Sequence, residues 1–255
     1  MFTLTDLSFT VAGRCLLQPL TLTLAPGQVT GLIGHNGSGK STLIKLLARQ
    51  QVATSGTATL EGVALADWPD RDYARRVAYL PQQLPAVEGL TVRNLVGYGR
   101  YPWHGALGRI GSHDIALIEQ AMRHADVAGF ADRWVDSLSG GERQRVWLAM
   151  LLAQDCRYLL LDEPTSALDI AHQVDVLARV RELSRELGLG VLVVLHDVNM
   201  AARYCDHLVA LRGGHLLSQG APTDLLQSDM LASIYGLPMG VLPHPHDGTV
   251  LTYIR

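Results

Sequence analysis

The sequence predicts an α/β protein with a mainly parallel sheet, an N-terminal antiparallel β subdomain and a helical insertion. Three observations carry that expectation. Val29–Ile33, Val77–Leu80, Tyr158–Leu161 and Val191–Leu195 are short apolar runs that each end in a polar or glycine-rich turn. Strands buried on both faces of a parallel sheet have this form. Helical periodicity separates the runs, and strand–helix alternation favours right-handed parallel connections. Near the N-terminus Phe2-Thr3-Leu4-Thr5 and Thr57-Ala58-Thr59-Leu60 alternate instead, as half-buried antiparallel strands do.

Two helices are marked most clearly. Ile170, Val174, Leu177, Arg181 and Ser184 trace one, with Val180, Leu183 and Leu187 widening its stripe and Gly188 placed to end it. Ile115, Ile118 and Met122 trace another, opened by the cap-like Ser112-His113-Asp114. Residues from about 83 to 140 hold helix signals and a Gly/aromatic-rich stretch but no convincing strand, which predicts a helical insertion. No repeat, linker or low-complexity segment divides the chain. It reads as one domain over residues 1–255, with a C-terminal tail over 237–255.

Composition narrows the function classes. Hydrophobic residues make up 48% of the 255 and charged residues 18%, the profile of a folded protein. A net charge of −3 with scattered Lys and Arg gives no electrostatic reason to expect nucleic acid as a partner. Mean hydropathy is +0.15, yet no apolar run approaches the ~20 residues of a spanning helix. The N-terminal residues lack a secretory pattern. Cys15, Cys156 and Cys205 have no metal or disulfide spacing. A soluble, cytoplasmic protein is expected, one that reaches a membrane only through a partner.

Two segments carry phosphate chemistry. Gly34-His35-Asn36-Gly37-Ser38-Gly39-Lys40-Ser41 lies between a buried strand and an apolar helix start at Leu43, Leu46 and Leu47. Glycines let backbone N–H groups wrap a phosphate, and the helix adds its positive end. Lys40 can reach the β- and γ-phosphates of a nucleotide, and the Ser41 hydroxyl can ligate Mg²⁺. Tyr158–Leu161 then delivers Asp162 and Glu163 to the carboxyl edge of the sheet, where ligands of open α/β sheets bind. Asp162 would hold Mg²⁺ directly or through water, and Glu163 would orient or deprotonate the attacking water. Alone, each segment has a plain alternative, a glycine-rich turn or a strand entering solvent; together they read as one site.

Leu138-Ser139-Gly140-Gly141-Glu142 matches the signature of the ABC ATPases, and at this point the chain resembles that family over almost its whole length. Gln82, at the end of Tyr79-Leu80-Pro81-Gln82, resembles the Q-loop. Ser166-Ala167-Leu168-Asp169 resembles the D-loop, and His196 the switch histidine. Each piece is weak alone, since Ser-Gly-Gly is an ordinary N-cap; their collinear order carries the resemblance. It implies a P-loop ABC ATPase core that binds ATP and Mg²⁺, with Ser41, Gln82 and Asp162 as the Mg²⁺ set and Glu163 and His196 as catalytic residues. It also implies a head-to-tail pair of chains. Ser139, Gly140 and Gly141 of one would close on the ATP held by the phosphate loop of the other. Many members stack adenine on an aromatic residue where this chain places Val11, with Phe9 near and Arg14 offering a guanidinium plane.

Arg100-Tyr101-Pro102-Trp103-His104 resembles a segment of the ATPases of iron-siderophore, haem and vitamin B12 importers. Leu80–Pro85, Ala167–Val176 and Tyr235–Pro245 bring the resemblance nearest to ferric hydroxamate importers. That implies an integral membrane permease as direct partner, a periplasmic siderophore-binding protein as indirect partner, and a peripheral position on the cytoplasmic face of the inner membrane. Vitamin B12, haem or another siderophore is the alternative cargo, and a non-transport ABC ATPase the alternative class. Trp103 also has a plain reading as a packing aromatic. His244, His246 and Asp247 read as an extended tail more readily than as a metal site.

Overall fold

The computed structural model describes residues 1–105, 108–166 and 168–255, so Ala167 of the D-loop-like run lies outside the described residues. The chain divides into two compact units, residues 1–67 with 190–255 and residues 68–189.

The first unit opens with β1 (Phe2–Val11) and β2 (Arg14–Leu24), followed by the buried β3 (Val29–Ile33) and α1 (Lys40–Leu47). Strands β4 (Ser55–Leu60) and β5 (Val63–Ala64) complete an antiparallel sheet of order β2-β1-β4-β5. Phe2 faces Leu60 and Leu4 faces Ala58, so the alternation predicted at both segments is one register. Phe2, Leu4 and Leu60 are fully buried.

In the unit of residues 68–189, α2 (Asp70–Ala74) leads into β6 (Val77–Leu80). Helices α3 (Val92–Gly97), α4 (Tyr101–His104), α5 (Ser112–His124) and α6 (Gly140–Ala153) follow, then β7 (Tyr158–Leu161) and α7 (Ile170–Leu187). Among the described residues of the predicted insertion there is no strand, only a single bridge between Thr91 and Trp134. Strands β6 and β7 pair in parallel, Leu80 opposite Leu161.

Two helix faces differ from the periodic trace. Ile115 is 52% exposed and Ile170 74% exposed, while Ile118, Met122, Val176, Leu177, Val180 and Leu183 are buried. Each exposed Ile belongs to the first turn of its helix, ahead of the packed stripe. Gly188 has φ 66°, the left-handed end expected after α7.

The chain then returns to the first unit with β8 (Gly190–Val194), α8 (Val198–Tyr204), β9 (His207–Arg212), β10 (His215–Gly220), α9 (Pro222–Leu225) and α10 (Ser228–Tyr235). Strand β3 runs parallel to both β8 and β9, and β10 pairs antiparallel with β9. The segment expected as an extended tail is a hairpin instead, β11 (Met239–Pro243) with β12 (Val250–Ile254). Its turn is set by Asp247, whose Oδ1 accepts hydrogen bonds from Thr249 N and Oγ1 at 3.0 and 2.6 Å. Asn199 of α8 anchors the hairpin by exchanging bonds with Thr252, N to Oδ1 at 2.8 Å and Nδ2 to O at 3.1 Å.

Candidate functional site

The glycine loop follows β3 in the first unit. Gly34, Gly37 and Gly39 have φ 146°, 76° and 101°. An L side chain strains there, and at Gly34 a Cβ would also overlap the Leu211 carbonyl. The loop closes through Ser38 N to His35 O at 3.2 Å. Lys40, the first residue of α1, is 4% exposed and donates from Nζ to Gly34 O at 2.8 Å and His35 O at 3.0 Å. Its ammonium is thus held inside the loop it follows. His35 Nδ1 lies 2.6 Å from Asn36 O, and Ser41 is half-buried on the first turn.

The donor set of this loop fits an anion. Among the described residues no side chain caps α1, and its first turn contains no acid. The N-terminal N–H groups and positive end of such a helix favour a bound anion. The Ser38 hydroxyl is buried with no hydrogen-bond partner among the described residues, an uncommon state for such a group.

Leu32 stands opposite Val194 in the β3–β8 ladder, so the loop and His196 leave neighbouring parallel strands at one edge. His196 is exposed, and Asp197 beside it caps α8 by accepting from Asn199 N at 2.7 Å. At the far end of the β1–β2 hairpin Val11 is 48% exposed and pairs across the turn with Arg14, itself exposed. Strand β2 passes the glycine loop: a Cβ on Gly39 would stand 3.0 Å from Leu16 O.

The unit of residues 68–189 holds the acidic half. Asp162 N donates to Leu80 O at 2.9 Å, so the β6–β7 ladder runs one residue past the strand. Asp162 is 1% exposed. Burial, and then the Asp162 charge, push the Tyr79 hydroxyl up to about 12. Glu163 has φ 52°. A non-glycine residue in the left-handed region costs of order 1–3 kcal/mol and clusters at functional sites. Gln82 Nε2 donates to Glu163 Oε2 at 2.5 Å. Carboxylate and amide oxygens are hard donors of the kind Mg²⁺ takes, so the chemistry of Gln82 and Asp162 in this unit fits that ion, as does the Ser41 hydroxyl in the other unit taken by itself.

Ser139 caps α6 in a reciprocal box, donating from N to Glu142 Oε2 at 2.9 Å while its Oγ accepts from Glu142 N at 3.3 Å. Hydrogen bonds from the Ser139 backbone and side chain to the Glu142 carboxyl hold it below its ordinary range. The positive end of α6 thus carries its own carboxylate, unlike that of α1. Ser139 and Gly140 are exposed, and Gly141 is buried.

The Arg100–His104 run is turned mostly inward. Arg100 is 3% exposed, with Nε 3.0 Å from Asp114 Oδ1 and Nη1 donating to Ala153 O at 2.8 Å. Trp103 donates from Nε1 to Gln154 O at 2.8 Å, and the guanidinium groups of Arg75 and Arg100 each stand over its ring, 4.9 Å from the centre. His104 Nε2 is 2.8 Å from Asp114 Oδ1. The packing reading of Trp103 holds. Tyr101 of this run and Tyr98 just ahead of it face outward, each 58% exposed.

Sequence patterns did not single out the strained backbone of Glu163 or the Gln82–Glu163 bond. The only available signal was that two parallel strands end in polar residues. Asp114 stood out only as part of a helix start, and no local motif marks its pairing with Arg100.

The chain is similar to known proteins over most of its length. The family profile described as ABC transporter matches residues 17–166. The achromobactin transport ATP-binding protein CbrD of Dickeya dadantii is 42% identical over 246 residues, covering 96% of this chain and 91% of that protein. The iron(3+)-hydroxamate import ATP-binding protein FhuC of Bacillus subtilis is 38% identical over 242 residues, covering 94% and 90%. The dimeric structure of MJ0796, a bacterial ABC transporter cassette, superposes with a TM-score of 0.75 at 25% identity, covering 87% of this chain and 99% of that one. Among the described residues no helix is long and apolar enough to cross a membrane.

Proposed function

The chain belongs to the ABC transporter family and is an ATPase, and from that membership we propose that it powers an importer of iron(III)-hydroxamate siderophores as one of two copies in a head-to-tail ATP sandwich. The observation that carries the nucleotide reading is Lys40, buried inside a glycine loop at an uncapped helix end. Gly34, His35, Asn36, Gly37, Ser38, Gly39, Lys40 and Ser41 would bind the phosphates. Val11 and Arg14 lie exposed at the hairpin tip and would carry the adenine.

Ser41, Asp162 and Gln82 would hold Mg²⁺, which when bound offsets charge on the phosphate oxygens. Glu163 orients and deprotonates the attacking water, with Gln82 fixing its carboxylate. His196 steadies the γ-phosphate. Ser139, Gly140 and Gly141 close on the nucleotide of the partner copy, with exposed Ser139 leading. Such a reaction proceeds by positioning and charge stabilisation.

The permease is the membrane partner, and it holds this subunit on the cytoplasmic face of the inner membrane. A periplasmic siderophore-binding protein acts on the far side, and nucleic acid is no partner. Tyr98 and Tyr101 are among the exposed side chains of the insertion that a permease could meet. Cargo rests on the resemblance of the run around them, because overall identity to an achromobactin relative, 42%, exceeds that to a hydroxamate one, 38%. Vitamin B12, haem or another siderophore is the alternative cargo. Sizing of Glu163→Gln with and without Mg-free ATP tests the sandwich: a dimer forms only with ATP if the reading holds.

A further inference from the structure

Within the unit of residues 68–189, both signature glycines lie against the segment that follows Glu163. A Cβ on Gly140 would meet Leu168 Cδ2 at 3.8 Å, an ordinary contact, whereas on Gly141 it would overlap the His172 imidazole. Gly141 is not among the residues with positive φ. Glycine is required there by close approach of another group, not by backbone conformation.

The ring it meets is fixed. Asp169 Oδ1 accepts from His172 N at 2.9 Å and lies 2.7 Å from His172 Nδ1. One carboxylate oxygen therefore both caps α7 and holds the ring of its third residue. The backbone and side-chain bonds from His172 keep Asp169 below the usual carboxylate range, so it is ionised at neutral pH and the bond is charge-assisted.

We propose that His172 is a positioning residue for the signature, the spacer that sets the Gly141 backbone, and with it Ser139, relative to Asp162 and Glu163 at the end of β7. The chain of contacts is short: β7 leads directly into the segment ending at Asp169, Asp169 holds the ring, and the ring supports Gly141. A shift of the first turn of α6 would misplace the groups that close on a partner's nucleotide. Misplacement by about 1 Å can cost roughly a hundredfold in rate. This inference rests on the reading of Ser139-Gly140-Gly141 as the surface that closes on the partner's ATP.

The test uses the full-length chain carrying His172→Ala, His172→Asn, Gly141→Ala or Ser139→Ala. A fluorescent ATP analogue reads nucleotide affinity, steady-state hydrolysis reads kcat and KM, and ATP-dependent association is read in the Glu163→Gln background. His172→Ala should keep analogue affinity within about twofold while kcat falls roughly ten- to a hundredfold and association weakens. His172→Asn keeps a nitrogen where Nδ1 donates to Asp169 and should recover much of the loss. Gly141→Ala should resemble His172→Ala or be worse. Normal hydrolysis and association in His172→Ala would overturn the inference, as would equal loss in His172→Ala and His172→Asn. If Ser139→Ala lowers hydrolysis while His172→Ala does not, only the role of His172 is lost. If Ser139→Ala is silent as well, the signature reading itself fails. Loss in His172→Ala beside a silent Ser139→Ala overturns the proposal, since the effect cannot then pass through the signature.

Discussion

Gln82 donates a 2.5 Å hydrogen bond to the Glu163 carboxylate across 81 residues of sequence. The parallel register of β6 and β7, Leu80 opposite Leu161, sets their two strand ends side by side. A neutral amide orients Glu163 without removing its charge. Gln82→Ala should therefore leave nucleotide binding near normal and lower kcat. A hydrogen bond to a charged group is worth about 1.5–3 kcal/mol, or roughly ten- to a hundredfold in rate. Gln82→Glu should be worse, because two carboxylates would then repel. Steady-state hydrolysis with analogue binding as control checks both.

Glu163→Gln should bind ATP and hydrolyse it about 10²–10⁴-fold more slowly, the usual cost of losing a general base. The ATP-bound dimer should then persist, because hydrolysis is what reopens it. Sedimentation of this variant with ATP checks the expectation, and a chain that stays monomeric contradicts it.

Much of this site was legible in the sequence because its parts are local. The glycine loop needs glycines at fixed offsets, and Asp162 and Glu163 follow an apolar strand, so both appear as words in the chain. The inner strands were legible because burial on both faces leaves unbroken apolar runs. The C-terminal hairpin was not, since Pro243-His244-Pro245-His246 reads as extended and its anchor is Asn199, far away in sequence. The inward turn of Arg100 was hidden for the same reason: its partners Asp114 and Ala153 come from two other helices. Ile115 and Ile170 fit the helical period and still face outward, because period alone does not say where packing begins.

Asp114 makes the unit of residues 68–189 sensitive to acid. Burial would raise its pKa, but hydrogen bonds from His104, the Gly111 amide and Arg100 hold it well below the carboxylate range. A group with a depressed folded pKa contributes stability above its unfolded value, 3.8 here, and loses it as pH falls from there. Chemical denaturation from pH 7 downward should show that loss beginning near pH 4. Asp114→Asn should flatten this part of the profile and lower stability at neutral pH. Leaving Arg100 buried without its partner typically costs about 3–5 kcal/mol.

Tyr101→Ala and Tyr98→Ala separate docking from folding. Both side chains face outward, so each variant should keep its thermal stability within about 0.5 kcal/mol, as surface changes usually do. Each should also bind ATP normally. Copurification with membranes and siderophore-dependent growth should both fall if the permease seats on these rings. Arg100→Ala, by contrast, should lose stability before any docking defect can be read.

Uptake of radioactive iron loaded on a hydroxamate siderophore tests the central claim most directly. The strain should lack this gene and any other hydroxamate importer, and receive back the wild-type gene, Lys40→Ala or Glu163→Gln. The account predicts that the wild-type gene restores uptake, that neither variant does, and that growth on free iron salts is unaffected throughout. Uptake at the normal rate in the deletion strain, or full restoration by Lys40→Ala, would contradict it.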